Sequence, residues 1–205
     1  TIVDSAALTI DALVGTEGND IVNGTSSDDV INALGGNDTV NGNSGNDTLN
    51  GGAGIDTLNG GPGFDRLTGG PGNDVLNGGP DSDTYIINAG DGQDTISDQY
   101  FGDEFFFGRS DVLQFGPGIT LADLRVSSDD GKSIILAIGA AGDQVRLLPT
   151  QQFTNGVWVT PIDQLRFADT STRRINGSTV DARQLYGTAG NDTLVGFDAF
   201  AGFLA

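Results

Sequence analysis

The chain has no cysteine, no histidine and no methionine, and only two of its 28 acidic residues, Glu17 and Glu104, are glutamate. Each absence excludes something. Without Cys there are no disulfides and no thiol chemistry. Without His the commonest general acid–base group and the usual zinc and copper ligands are gone. Basic residues are scarce as well: nine Lys and Arg leave a formal net charge of −19. That balance argues against nucleic acid or anionic membranes as partners, which need Lys and Arg, and argues for bound cations. No run of about 20 apolar residues is present, so no membrane-spanning helix is expected. A charged-then-apolar leader is missing and the chain opens on Thr1, so it reads as a piece of a longer or processed protein. There is no GxSxG, and no constellation of catalytic groups stands out. An extracellular protein without Cys needs another stabiliser, and metal is the first candidate.

What the chain does have is a period. From Gly15 to Ile86 it reads GTEGNDIVN, GTSSDDVIN, ALGGNDTVN, GNSGNDTLN, GGAGIDTLN, GGPGFDRLT, GGPGNDVLN, GGPDSDTYI: eight units of nine residues without a gap. The sixth place is always Asp: Asp20, Asp29, Asp38, Asp47, Asp56, Asp65, Asp74 and Asp83. The eighth is apolar: Val22, Ile31, Val40, Leu49, Leu58, Leu67, Leu76 and Tyr85. After Ile87 and Asn88, residues 89–97 (AGDGQDTIS) fit as a ninth unit with Asp94 and Ile96. A tenth, GTAGNDTLV at 187–195, carries Asp192.

Each unit divides into a Gly-rich turn of six residues and a strand of three. The two-residue strand period turns the eighth residue inward and the seventh and ninth, largely Thr and Asn, outward. Two units then make one coil, with odd turns stacked along one edge and even turns along the other. One column holds Asp20, Asp38, Asp56, Asp74 and Asp94; the other holds Asp29, Asp47, Asp65 and Asp83. Short Asp side chains close to Gly-rich backbone suit calcium, which takes six to eight oxygens at roughly 2.3–2.6 Å. One turn supplies too few oxygens, but two turns stacked about 4.8 Å apart supply enough. Four gaps in one column and three in the other predict about seven calcium ions, within roughly five to eight.

The block resembles the repeats-in-toxin (RTX) family, and the resemblance implies an all-β fold: a right-handed parallel β-roll, or β-solenoid, followed by a β-rich capping domain. It also implies calcium ligation by the sixth-place Asp residues, Asp192 included, and by turn carbonyls, here those of Gly18, Gly36, Gly45, Gly54, Gly63, Gly72 and Gly92. Some turns depart from the pattern. Ser27 and Asp81 replace the fourth-place Gly, and Ala33-Leu34 replace the opening Gly pair, so strain or weak binding is expected there. The stretch from TYIINAGDGQDTISD through IDQLRFAD looks like the haemolysin-type β domain that flanks such blocks.

The expected layout is an N-terminal cap (1–14), the roll (15–97), a β-rich flanking domain (98–186) and either a second block or a tail (187–205). The flanking part reads as strands at 111–115, 123–126, 133–138, 144–148, 157–160 and 163–168, and holds most of the aromatics, including Phe105, Phe106, Phe107 and Trp158. GTxGND recurs 172 residues after its first appearance, which suggests a larger module of that length. Function follows from charge. Asp columns repel, and one inward residue in nine cannot offset chain entropy of about 1–2 kcal/mol per residue. The calcium-free block should be disordered, and should fold at the roughly 10⁻⁴–10⁻³ M calcium of extracellular modules. The family resemblance adds a secreted, cell-surface or extracellular protein, the type I secretion apparatus as a partner during export, and neighbouring modules of the same chain. Two alternatives stay open: an adhesive or ligand-binding module using 98–186, or the non-catalytic C-terminal part of a secreted hydrolase or epimerase.

Overall fold

The computed structural model describes residues 2–4, 12–98, 111–127, 133–148, 151–152, 158–159, 162, 164–168, 172–174 and 192–193. The Phe105–Phe107 run and most of unit 187–195 lie outside them. The strands of the repeat block are β1 (Ile2–Asp4), β2 (Ala12–Thr16), β3 (Ile21–Asn23), β4 (Val30–Leu34), β5 (Thr39–Asn41), β6 (Thr48–Asn50), β7 (Thr57–Asn59), β8 (Arg66–Thr68), β9 (Val75–Asn77), β10 (Thr84–Ile87) and β11 (Gln93–Ile96). Beyond it come β12 (Val112–Phe115), β13 (Leu124–Ser127), β14 (Ile134–Ile138), β15 (Asp143–Leu147), β16 (Gln151–Gln152), β17 (Trp158–Val159), β18 (Gln164–Arg166), β19 (Thr172–Arg174) and β20 (Asp192–Thr193). There is no α-helix among the described residues.

Odd and even repeat strands separate into two sheets. One runs β1-β3-β5-β7-β9-β11-β15-β14-β13-β20 and the other β19-β18-β12-β10-β8-β6-β4-β2. All pairs from β1 through β12 are parallel, so the block is a parallel β-roll. Register follows the nine-residue period: Val22 faces Val40, Val40 faces Leu58 and Leu58 faces Leu76, while Ile31, Leu49, Leu67 and Tyr85 align in the other sheet. Val22, Val40, Leu49, Leu58, Leu67, Leu76, Tyr85 and Ile96 are completely buried between the sheets. The apolar core is therefore a double file of single side chains, one per turn. At roughly 1.5–3 kcal/mol for each buried aliphatic side chain, it offsets only part of the entropy of ordering nine residues.

Neither sheet is confined to residues 15–97. β1 pairs parallel with β3, Val3 opposite Val22 in register, and Leu13 lies opposite Ile31, so the segment ahead of the first nonapeptide already supplies rungs. On the other side β12 adds parallel to β10 with Leu113 against Tyr85, and β18 adds to β12 with Leu165 against Leu113. β15 adds parallel to β11, then β14 and β13 return antiparallel. Phe115 and Phe167 stack with centroids 5.2 Å apart and join this extended core.

The expected strain is located at Leu34 (φ 79°) and Asp81 (φ 81°), and Asn43 (φ 77°) joins them. Ser27 and Ala33 are not among the positive-φ residues, and Ala33 is fully buried. The left-handed region costs an L-residue roughly 1–2 kcal/mol, least for Asn. Leu34→Gly should therefore stabilise the calcium-bound chain by about 1 kcal/mol, after allowing for the extra unfolded-state freedom of Gly. Asn43→Gly should be close to neutral. Thermal midpoints in saturating calcium check both, and a lowered midpoint for Leu34→Gly would mean that its side-chain packing outweighs the strain.

Candidate metal centre

Each repeat delivers its Asp to the corner where turn becomes strand. The inward eighth residue anchors the strand, and two positions earlier the sixth residue falls on the same face. The nine sixth-place Asp residues, Asp20 through Asp94, are accordingly at most 3% exposed. One oxygen of each of the seven that follow Asp20 and Asp29 is committed to the neighbouring coil, whereas Asp20 and Asp29 accept from Thr16 and Thr25 of their own turns. The Asp20 main-chain N–H donates to Asp38 Oδ1 at 2.7 Å, Asp38 to Asp56 at 2.8 Å, Asp56 to Asp74 at 2.8 Å and Asp74 to Asp94 at 3.0 Å. The second column repeats this: Asp29 to Asp47 (2.8 Å), Asp47 to Asp65 (2.7 Å) and Asp65 to Asp83 (2.8 Å). The structure thus assembles both predicted columns in the predicted order.

The other carboxylate oxygen poses the electrostatic problem. Oδ2 of Asp38, Asp47, Asp56, Asp65 and Asp74 is buried with no hydrogen-bond partner. A carboxylate oxygen only accepts, and burying one unpaired costs several kcal/mol. Within the repeat block no basic side chain faces it: Arg66 is the only Lys or Arg from 12 to 98 and lies on the outward face of β8. Burial accordingly pushes the carboxyls up, to about 6 for Asp47, about 7 for Asp65 and Asp74, and about 8 for Asp94, with like charge from the adjacent column member a lesser cause. Asp38 and Asp56 move the same way, whereas the Thr16 hydroxyl holds Asp20 below its usual range.

The turns close tightly around these oxygens. A Cβ on Gly42, Gly51, Gly60 or Gly69 would overlap Oδ2 of Asp47, Asp56, Asp65 or Asp74. The fourth-place glycines stack as well: a Cβ on Gly54, Gly63, Gly72 or Gly92 would overlap the carbonyl oxygen of Gly36, Gly45, Gly54 or Gly72. Carboxylate oxygens and turn carbonyls, with no competing donor, form the all-oxygen set that a hard divalent cation prefers. The residues present fit calcium.

The sequence period missed part of this arrangement. The Asp83 N–H donates to Asp111 Oδ1 at 2.8 Å, so Asp111 occupies the next rung of the second column. The step is 28 residues instead of 18, which hides it from a nine-residue scan. The signal was the triplet Asp111-Val112-Leu113, which repeats the sixth-to-eighth pattern. Asp98 joins there: ligand atoms of buried Asp83, Asp98 and Asp111 lie within 4.8 Å of one another. At the end of the other column, Asp91 and Asp143 approach Asp94 closely enough to raise it. Asp192 lies elsewhere, in β20, antiparallel to β13 and outside both columns.

The comparisons with known proteins concern the same residues. Residues 14–49, 50–85 and 184–198 match the family model of the RTX calcium-binding nonapeptide repeat. No curated protein matches the chain. Among solved structures, the crystal structure of extracellular lipase LipA from Serratia marcescens is similar at 16% identity and a TM-score of 0.30, over 77% of this chain and 41% of that one. The chain thus corresponds to less than half of the lipase's length. By period, by stacking and by family match, residues 14–85 are RTX calcium-binding nonapeptide repeats.

Proposed function

We propose that the roll is a calcium-triggered folding module of a larger secreted protein, serving in export and as a rigid scaffold. The sixth-place Asp carboxylates and the carbonyls of Gly18, Gly36, Gly45, Gly54, Gly63, Gly72 and Gly92 would hold the ions. The observation that carries this reading is the set of five buried carboxylate oxygens without donors, in turns that lack any basic side chain. Bound calcium supplies the missing positive charge and takes six to eight oxygens. The chain does the rest. Its Asp ladder sets coil spacing, its glycines let turns approach, and its eighth-place residues exclude water from the core.

Without calcium, paired columns of Asp oppose stacking, and the chain stays open. That suits passage through the narrow channel of a type I secretion apparatus, with folding outside the cell at roughly 10⁻⁴–10⁻³ M calcium. About seven ions, within roughly five to eight, follow from the gaps; Asp111 as a further rung favours the upper end. The flanking β region caps the roll and links it to neighbouring modules. No reaction is assigned to this chain, because its Asp residues are tied into turns; any catalysis belongs to other parts of the parent protein. Circular dichroism against calcium tests the reading. A steep gain of β signal is expected, with several ions bound per chain by titration. Full β signal in excess chelator near neutral pH would refute it.

A further inference from the structure

The ninth place of the repeat is usually Asn and the first place of the next is usually Gly. The result is five Asn–Gly pairs on the roll: Asn23-Gly24, Asn41-Gly42, Asn50-Gly51, Asn59-Gly60 and Asn77-Gly78. Asn–Gly is a chemically labile pair. With no Cβ in the way, the glycine main-chain nitrogen attacks the Asn side-chain carbonyl carbon. A new N–C bond forms, the bond to Nδ2 breaks, and the nitrogen's proton leaves with the side-chain amine as ammonia. Water then opens the five-membered imide at either carbonyl, giving Asp or isoaspartate. The reaction needs the glycine N–H released and the Asn side chain free to swing onto it.

The stacked roll denies both conditions to four of the pairs. The N–H groups of Gly24, Gly42, Gly51 and Gly60 donate to the main-chain carbonyls of Asn41, Asn59, Thr68 and Asn77 at 2.7–3.0 Å. The Asn side chains form ladders: Asn41 Nδ2 donates to Asn23 Oδ1 at 2.8 Å, Asn59 to Asn41 at 2.9 Å and Asn50 to Asn32 at 3.2 Å. The fifth pair differs. Here the Gly78 N–H donates to the Tyr85 hydroxyl at 2.8 Å and not to a main-chain carbonyl. Asn77 Oδ1 is buried without a hydrogen-bond partner.

We infer that the Asn–Gly pairs are non-enzymatic deamidation sites that calcium-dependent stacking protects, and that Asn77, whose side chain has no ladder partner, is the least protected in the folded roll. The first half rests on the calcium-folding reading; the second rests on the unpartnered Asn77 side chain, since the Gly78 N–H is itself hydrogen-bonded. The consequence is a chemical limit on the unfolded state. Each isoaspartate adds a main-chain methylene at a strand end, and each product adds a negative charge to an acidic chain. A chain held too long without calcium therefore loses its ability to stack, which discards molecules that are not exported and folded in time.

The test keeps the full chain in calcium or in chelator, in mildly alkaline buffer. Peptide mass mapping reads the mass gain from amide to carboxyl, and circular dichroism is recorded in parallel. In chelator all five pairs should react at comparable rates. In calcium the four stacked pairs should slow by about 100-fold or more, because reaction then requires local opening. Asn77 should react at least about 10-fold faster than Asn59 there, as expected for a less protected site. Chelator-aged chains should lose calcium-induced refolding in step with deamidation. Replacing the ninth-place Asn residues by Thr, which Thr68 shows the roll accepts at that place, should abolish the loss. If the chelated chain keeps its β signal, the folding reading fails and the protection claim with it. If it unfolds yet the four pairs react equally in both conditions, the protection claim alone is overturned. An Asn77 no faster than Asn59 in calcium overturns the assignment of Asn77.

Discussion

Gly54→Ala will unfold the calcium-loaded roll or bring it close to unfolding, whereas Gly18→Ala, the same change at the same place of the repeat, will leave it almost untouched. Gly54 has φ +137°, and a Cβ there would overlap the Gly36 carbonyl oxygen and crowd the Gly36 carbonyl carbon. Both are backbone atoms fixed by neighbouring coils, so no rotamer change relieves the overlap. Backbone strain of about 1–3 kcal/mol and overpacking of about 1–3 kcal/mol together approach the stability of a small domain, about 5–15 kcal/mol. The displaced Gly36 carbonyl is also a proposed ligand, so calcium affinity falls with stability. Gly18 sits in the first nonapeptide turn; its nearest neighbour to a Cβ is the Thr16 hydroxyl at 4.0 Å. Its substitution should fall within about 0.5 kcal/mol of neutral. Gly90→Ala is the useful intermediate, with φ +93° but nothing within 4 Å of a Cβ, so only the left-handed backbone cost of roughly 1–2 kcal/mol applies. Calcium midpoints should rank Gly18→Ala, Gly90→Ala, Gly54→Ala from least to most impaired. A Gly54→Ala variant that folds at the parent calcium concentration would disprove direct coil-on-coil contact at the fourth place.

That ranking also marks the boundary of what sequence discloses. The period states which residues share a role, and it located both Asp columns and the inward file from Val22 to Ile96. It cannot state how many neighbours each turn has, so Gly18 and Gly54 look identical in it. Nor does it follow a sheet across an insertion. A ladder needs only that a strand arrive at the edge in register, and the intervening residues are free to vary in number. Asp111 and Leu113 therefore continue the column and core after 28 residues with no periodic signal. β15 reaches β11 out of a hairpin, and there Val145, not an Asp, faces Asp94. Tyr85 is a third case. Counted as an apolar eighth residue it is correct, for it is fully buried, but its hydroxyl also takes the Gly78 N–H. Period-two patterning records which face a residue takes, not what its far end does.

In chelator, acid should fold the chain that neutral pH leaves open. The buried carboxyls in the calcium-free roll are raised from 3.8 to about 6 at Asp47, about 7 at Asp65 and Asp74 and about 8 at Asp94, chiefly by burial. Each displacement disfavours ionisation in the folded roll. The folded state therefore binds more protons than the unfolded chain between about pH 4 and pH 8, and its stability falls as pH rises through that window. The stabilisation is complete below the ordinary carboxylate range near 4 and is lost as pH climbs through about 6 to 8. Protons and calcium thus answer the same unpaired oxygens, so acid should raise β content in chelator while weakening calcium binding by competition. Circular dichroism at about pH 5 and about pH 8, with chelator or with calcium, separates the cases. Signal is expected in chelator at the lower pH only, and in calcium at both. Asp65→Asn with Asp74→Asn sharpens the test. Each Asn keeps an oxygen for the Asp47 or Asp56 N–H but removes a charge that burial opposes. The double variant should hold β structure to higher pH in chelator, yet need more calcium to complete folding at pH 8. A calcium-free signal that stays flat across the window would show that these carboxylates do not oppose folding, and charge repulsion would no longer explain the switch.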